Sequence, residues 1–317
     1  MSSSIAITLG DPAGIGPEIT AKTLLSLDSD SLSRVVVVGD RQTFEDAFRI
    51  VAPDRPFSAE NIRFVQIPQQ GSVPVGEISA EGGEAAYQAV AGAVELALVG
   101  EVGCIVTAPL NKAALHRAGH YFDGHTGLLA HLTGQNSGFM LLASERLNTI
   151  HVSTHVSLKV ATDRVTASRI LDVVQAARAH FISLGISEPR IAVAGLNPHC
   201  SEGGLFGDEE ALEIEPGVAL CRKKGWDVSG PISGDTIFYR AARGEFDVVV
   251  AQYHDQGHIP IKLIAFDSAV NVTLGLPIRR TSVDHGTAFD IAGTGKADAT
   301  NMSCAIAYAF KMLAGAG

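Results

Sequence analysis

The sequence predicts an α/β fold built on a mostly parallel sheet, and three observations carry that prediction. Short runs of β-branched and other apolar residues, such as 5–9, 34–38, 104–107, 190–195 and 247–251, are apolar on both faces, as strands covered on both sides must be. Stretches of helical periodicity separate most of these runs, as right-handed crossovers require. Most of the runs end in glycine, proline and ionisable side chains, and open α/β sheets bind ligands at such C-terminal strand ends. With 317 residues the chain is long for a single core, so one large domain or two intimately packed ones is expected.

Taken in order, residues 5–9 form the first strand, and GDPAGIGPE at 10–18 follows it, with Pro17 suited to the first position of a helix. Residues 34–40 form a second strand and 41–50 a helix. The proline-bearing stretch 52–79 reads as an irregular excursion with one strand near 62–67. From 82 to 99, Tyr87, Val90, Val94 and Ala97 recur at helical spacing, and Gly100 supplies the stop. The strand at 104–107 runs into Ala108-Pro109-Leu110-Asn111-Lys112, and Gly124-His125-Thr126-Gly127 opens a short helix whose start can face an anion or serve as an ordinary cap. Two close strands, 139–143 and 149–155, suit a hairpin. A helix with Ile170, Val173, Ala177, Phe181 and Leu184 on one face stops at Gly185, and an apolar helix at 303–313 closes the chain.

Composition narrows the function. The 24 basic against 34 acidic residues leave a net charge of −10, which disfavours nucleic acid and anionic membranes as partners. An anionic substrate would need a local basic clamp. The N-terminus has no basic segment followed by a long apolar one, and no apolar run spans a bilayer uninterrupted, so a soluble cytoplasmic protein is expected. Cys104, Cys200, Cys221 and Cys304 are widely spaced and read as free thiols.

Three histidines, His155, His199 and His254, each follow an apolar run at its expected C-terminal end. Neutral imidazoles suit zinc and similar divalent ions, and three with an open position make a catalytic site, whereas each alone serves equally well as a loop hydrogen bonder. The spacing of His254 and His258 resembles the helical zinc pair of metalloproteases, but Asp255 stands where that motif has glutamate, and Gly257 and Pro260 argue for a loop. The dinucleotide fingerprint fails at Ile19, and Glu18 discourages an anion at that helix start. Lys262 and the segment 271–287, rich in Asn, Arg, Thr and Ser, read either as the missing clamp or as a solvated loop.

Across nearly its whole length the sequence resembles the 4-hydroxythreonine-4-phosphate dehydrogenase family, the metal-dependent enzymes of pyridoxal phosphate biosynthesis, and their catabolic paralogues. The blocks that carry the resemblance are GDPAGIGPE at 10–18, TAPLNK at 107–112, GHT at 124–126, THVSLK at 154–159, LNPHCSEGG at 196–204, YHDQGHIPIK at 253–262 and the run at 270–298. The resemblance implies a two-domain α/β fold like that of isocitrate and isopropylmalate dehydrogenases, mostly parallel, with the active site in the interdomain cleft of a homodimer whose protomers share their sites. A first, discontinuous domain is expected at 1–118 plus 262–317. A second, at 119–261, would carry the metal ligands and the dimer interface.

The same resemblance implies that His155, His199 and His254 hold a divalent metal such as Zn, Mg, Co or Mn, and that His125, Thr126, Lys262, Asn271 and Arg280 hold the substrate and its phosphate. It implies NAD or NADP as cofactor, with Gly286, Thr287, Gly293 and Gly295 as its expected loop. The implied reaction passes hydride from C3 of a phosphorylated hydroxy acid to the cofactor, followed by decarboxylation, the metal stabilising charge on oxygen. Asp255 and Asp235 are the candidate general bases, and Lys262 also belongs to the catalytic set.

Three positions depart from the family pattern: Gly127 replaces a glutamate, Cys200 a small apolar residue, and Arg279 an apolar one. HDQGHIP, HVSTH and LFGDEE resemble the paralogues that oxidise 4-phospho-D-threonate or 4-phospho-D-erythronate. Gly127 and Arg279 together are expected to make the substrate's surroundings more positive and less welcoming to an ammonium at C2. A metal-dependent hydrolase built on the three histidines, and a binding protein that keeps only the clamp, are the competing readings.

Overall fold

The structure is a computed structural model that describes residues 2–55, 62–69, 71–136 and 138–315. In chain order its strands are β1 (Ile5–Thr8), β2 (Val35–Gly39), β3 (Arg63–Gln66), β4 (Cys104–Thr107), β5 (Phe139–Ala143), β6 (Asn148–His151), β7 (Ile191–Ala194), β8 (Val228–Ile232), β9 (Val248–Ala251), β10 (Val270–Leu274) and β11 (Arg280–Ser282). The chain divides into two compact units, 1–138 with 276–317, and 139–275. Of the irregular stretch expected at 52–79, residues 56–61 and 70 lie outside the described residues.

In the first unit the strand order is β3-β2-β1-β4-β11, every neighbour parallel. Strands β1, β2 and β4 are buried along their full length, which is why they read as continuous apolar runs. The helix Ala80–Leu98 covers the sheet through Ala89, Val90, Ala93 and Val94, and Leu128 and Leu129 of the helix His125–Leu132 join the same apolar cluster. That packing places residues 119–138 in this unit, where the sequence put the division at 118/119.

The second unit has the order β10-β5-β6-β9-β7-β8. β10, β5 and β6 are antiparallel, forming the expected hairpin at β5 and β6, whereas β6, β9, β7 and β8 run parallel. Ile261 packs with Leu142, Val249 and Ala251, so the chain stays in this unit past 261, where the sequence put the second division.

Two expectations are corrected. Residues 254–265 are not a loop: His254–Ala265 is a helix that carries Pro260 in its interior, and burial of Gly257 and Ile261 along one side outweighs the proline's cost. The strand expected at 149–155 stops at His151, and His155 stands in the following loop with φ 48°. β8, β10 and β11 had no continuous apolar run to announce them. Asn271, Thr273, Arg280, Thr281 and Ser282 are polar residues inside strands, and all but Asn271 are buried.

Candidate functional site

In the first unit the loops leaving β1 and β4 and the segment after β11 meet. Asp11 donates its backbone N–H to the Pro109 carbonyl at 2.9 Å, and Ile15 donates to the Thr287 carbonyl at 3.0 Å. Gly10, with φ 70°, has no alternative, since a Cβ there would stand 2.2 Å from the Pro109 oxygen. The Asp11 side chain is wholly buried. Its Oδ1 accepts from the Ala13 N–H at 3.0 Å while its Oδ2 has no hydrogen-bond partner, and burial pushes its carboxyl up to about 6.

Beside this loop junction lies Arg280, one of the largest fully buried side chains. Its Nε and Nη2 donate to the Thr107 hydroxyl at 3.0 and 2.6 Å, and burial draws the guanidinium down to about 9. Burial of the imidazole first, and the nearby Arg280 guanidinium second, hold His125 well below its usual range. The buried Nε2 of His125 has no hydrogen-bond partner. Gly124, at φ 138°, turns the chain so that His125 and Thr126 open their helix. His125, Thr126 and Arg280 thus belong to one unit, and a neutral imidazole and a buried cation are complementary to an anionic, hydroxyl-bearing ligand.

Sequence reasoning missed Thr107, the acceptor that orients Arg280, and Lys112, whose Cε lies 3.6 Å from where a Cβ at Gly124 would be. Both sit in the TAPLNK block, so the signal was present. At Gly127 the Asp123 carboxylate stands 2.5 Å from the Cβ that any other residue would bring. Arg279 keeps a buried Nη1 that has no hydrogen-bond partner.

Of the four expected cofactor residues, Gly293 lines a cavity of about 180 Å³ together with Pro12, Gly14, Pro17, Glu18 and Val75. Glu18, expected to repel an anion from its helix, instead accepts from the N–H groups of Gly293 and of Gly295, the latter at 2.8 Å. Lys22 donates to the carbonyls of Gly295 and Ala297 at 2.7 and 2.6 Å, so both ends of this loop segment are fixed. Thr287 packs directly on Gly14, and nothing stands within 4 Å of a Cβ built at Gly286.

The second unit supplies imidazoles. His254 opens its helix and donates from Nδ1 to the Asp255 carboxylate at 2.7 Å, which fixes its tautomer and leaves Nε2 as the free lone pair. Its ring stacks on His258 with centroids 3.6 Å apart and planes 13° from parallel, and lies 5.6 Å from the ring of His155. His258 Nδ1 is 3.1 Å from Nε2 of the buried His151, whose Nδ1 in turn reaches the Met140 carbonyl at 3.2 Å. Burial first, and the nearby His258 second, draw His151 down to about 3, so it is a neutral acceptor. Lys262 lies on the same helix with Nζ over the Phe266 ring at 5.0 Å, and the buried Oδ1 of Asn271 has no hydrogen-bond partner. Asp235 is exposed in the first turn of the helix Gly234–Ala242.

His199 is exposed on the turn after β7. Five consecutive residues there, His199 to Gly203, have φ of 52, 53, 66, 43 and 69°. For a non-glycine residue that region costs roughly 1–2 kcal/mol, so the turn exists only because its surroundings hold it. The ring separation of His155 and His254 suits two imidazoles sharing one ion, but among the described residues no three of His, Cys, Asp or Glu stand close enough to hold a metal. The donors fit such an ion in kind.

The model of the family described as Pyridoxal phosphate biosynthetic protein PdxA matches residues 31–309. The chain belongs to this family. It is 45% identical to D-threonate 4-phosphate dehydrogenase of Pectobacterium atrosepticum over 98% of this chain and 100% of that one. It is 44% identical to 4-hydroxythreonine-4-phosphate dehydrogenase of Geobacter metallireducens, over 97% and 95%. Among solved structures, the PdxA-family 4-hydroxythreonine-4-phosphate dehydrogenase of Klebsiella pneumoniae superposes with a TM-score of 0.88 at 46% identity, covering 99% of this chain and 98% of the other. These relatives are named dehydrogenases, which sets the hydrolase reading aside. Among the described residues no helix is long and apolar enough to cross a membrane.

Proposed function

We propose that this chain oxidises a 4-phosphorylated 3-hydroxy acid with NAD or NADP, and that 4-phospho-D-threonate or 4-phospho-D-erythronate is preferred to 4-hydroxythreonine-4-phosphate. The observation that carries the reading is the buried Arg280 beside the partnerless Nε2 of His125: an acidic chain keeps a desolvated guanidinium bonded to Thr107, the last residue of β4, and an anion is its complement. Full-length identity to a named D-threonate 4-phosphate dehydrogenase supports the choice of substrate.

In this reading Arg280, Lys262, His125, Thr126 and Asn271 hold the substrate's phosphate, carboxylate and hydroxyls. A bound nicotinamide would accept hydride from C3, a carboxylate would take the C3 hydroxyl proton, and the β-keto acid so formed would lose CO₂. Asp255 already accepts from His254, which favours Asp235 as the base. Gly286, Thr287, Gly293 and Gly295, with the loop pinned by Glu18 and Lys22, are assigned to the dinucleotide. His155, His199 and His254 are assigned to a divalent ion, which when bound would supply positive charge against developing charge on oxygen. A homodimer is part of the proposal, and the exposed apolar Ile259, Leu263 and Phe266, spaced along one face of the helix that opens at His254, support it.

The test compares kcat/KM for the three phosphorylated substrates with divalent metal and nicotinamide cofactor present, following reduced cofactor by absorbance. A preference of about tenfold or more for the amino substrate would return the chain to pyridoxal phosphate biosynthesis.

A further inference from the structure

We infer that Glu210 is the positioning residue of the turn that carries His199, holding four non-glycine residues in a left-handed path that their own backbone preferences oppose. The Glu210 side chain is 2% exposed, and its two oxygens gather donors from one segment only. Oε1 accepts from the backbone N–H groups of Leu196 and Asn197 at 2.8 and 2.7 Å. Oε2 accepts from the Asn197 side-chain amide at 2.9 Å and, by a very short contact, from the Ser201 hydroxyl. One carboxylate therefore ties the residues that enter the turn to the residue at its middle. Burial raises the Glu210 pKa, but the bonds from Ser201 and Asn197 outweigh it and hold the group below its usual range, as charge-assisted bonds to an ionised acceptor do.

Two glycines and a second carboxylate complete the arrangement. A Cβ at Gly195 would meet the Cys200 sulfur at 2.7 Å and Glu210 Oε1 at 3.2 Å, so the turn folds back onto the end of β7 only over a glycine. Gly207 leaves the room in which Glu209 accepts from Asn197 Nδ2 at 2.7 Å. Four non-glycine residues, His199, Cys200, Ser201 and Glu202, follow the left-handed path, and at that density the conformation is imposed by its surroundings. His199 itself makes none of these bonds. Glu210 acts on it through the backbone, fixing where the exposed imidazole stands, and only the consequence for metal binding rests on the proposed role of His199.

The experiment is amide hydrogen exchange read by mass spectrometry on the full-length, metal-stripped protein, followed by zinc titration. Glu210→Ala is expected to speed exchange across 196–204 by about tenfold or more, with the helix Ala167–Ser183 unchanged. Glu210→Gln, which keeps one accepting oxygen and the side chain's shape, should fall between the two, and it carries the test if the alanine variant does not fold. Val218→Ala, which trims a buried side chain in the helix Glu215–Lys223, controls for general loss of stability and should leave 196–204 protected. Zinc affinity should fall about tenfold or more in Glu210→Ala. Unchanged exchange at 196–204 in the Glu210 variants, or equal loosening in Val218→Ala, would overturn the inference. If the turn loosens but neither Glu210→Ala nor His199→Ala alters zinc affinity, the positioning role of Glu210 stands and the assignment of His199 to the metal falls.

Discussion

The two units hold their candidate residues by opposite means. In the first, Arg280 and Asp11 are fully buried ionisable groups, and His125 keeps an unpartnered buried atom; fixed charge and unmet hydrogen-bonding capacity are enclosed by loops that meet at strand ends. In the second, His155 and His199 are exposed, and their geometry comes from positive φ, from ring stacking at His254 and from the Glu210 bonds. One unit shapes chemistry by desolvation, the other by backbone conformation. Desolvation strengthens electrostatic recognition of an anion, whereas imidazoles that must stay open to a ligand cannot be enclosed.

The largest test of that contrast is Arg280→Met. Losing a buried charge contact costs about 2–5 kcal/mol, so kcat/KM for the phosphorylated substrate should fall roughly 30-fold or more. The dephosphorylated analogue should change far less. Equal losses for both substrates would remove Arg280 from the phosphate and leave it a structural cation.

Asp11 offers the next largest effect. Its folded-state carboxyl titrates near 6 against a reference of 3.8, so between those values the native state holds the extra proton and stability falls as pH rises. A shift of about two units corresponds to roughly 3 kcal/mol, present below pH 3.8 and lost above 6. Asp11→Asn keeps the oxygen that accepts from Ala13, and should therefore be more stable than the parent at pH 8 and indistinguishable near pH 4 in urea denaturation. A variant with no such pH-dependent gain would show that the first unit does not store desolvation cost at this carboxylate.

Packing supplies a smaller and more symmetrical comparison. Gly257→Ala brings a Cβ to 2.4 Å from His151 Nε2, while Gly83→Ala brings one to 2.1 Å from the Ala114 carbonyl oxygen. Overpacking of this kind costs about 1–3 kcal/mol. Because an imidazole can shift and a helix backbone cannot, Gly83→Ala should be the more destabilising by thermal melting. The reverse order would mark the His151–His258 pair as the more rigid of the two. The smallest effect belongs to the exposed Arg190, paired with Asp247 at 2.9 Å, where Arg190→Ala should cost about 1 kcal/mol or less and less still at high salt.

The sequence disclosed the fold class because fully buried parallel strands such as β1, β2, β4 and β9 are written as unbroken apolar runs, and the helix over Ala80–Leu98 as a clean periodicity. It also disclosed the family, since blocks such as LNPHCSEGG and YHDQGHIPIK keep their order along the chain and the family model matches residues 31–309. It misread the segment after β9, because a glycine and a proline carry a local signal against a helix that the burial of Gly257 and Ile261 overrides. β10 and β11 stayed hidden for a related reason: a strand that carries Asn271 or Arg280 has traded apolar pattern for a polar side chain whose place is set only by the strands beside it.

Chemical identity is a property of residues, so the charge balance, the free thiols and the candidate donors could be read one position at a time. Environment is not. That Arg280 is buried against Thr107, that Asp123 fills the space left by Gly127, and that Glu210 reaches back to bind the segment carrying His199 all depend on atoms remote in sequence or on backbone angles no local propensity favours. Tertiary structure alone decided these, because desolvation and strain are measured against whatever the folded chain places alongside.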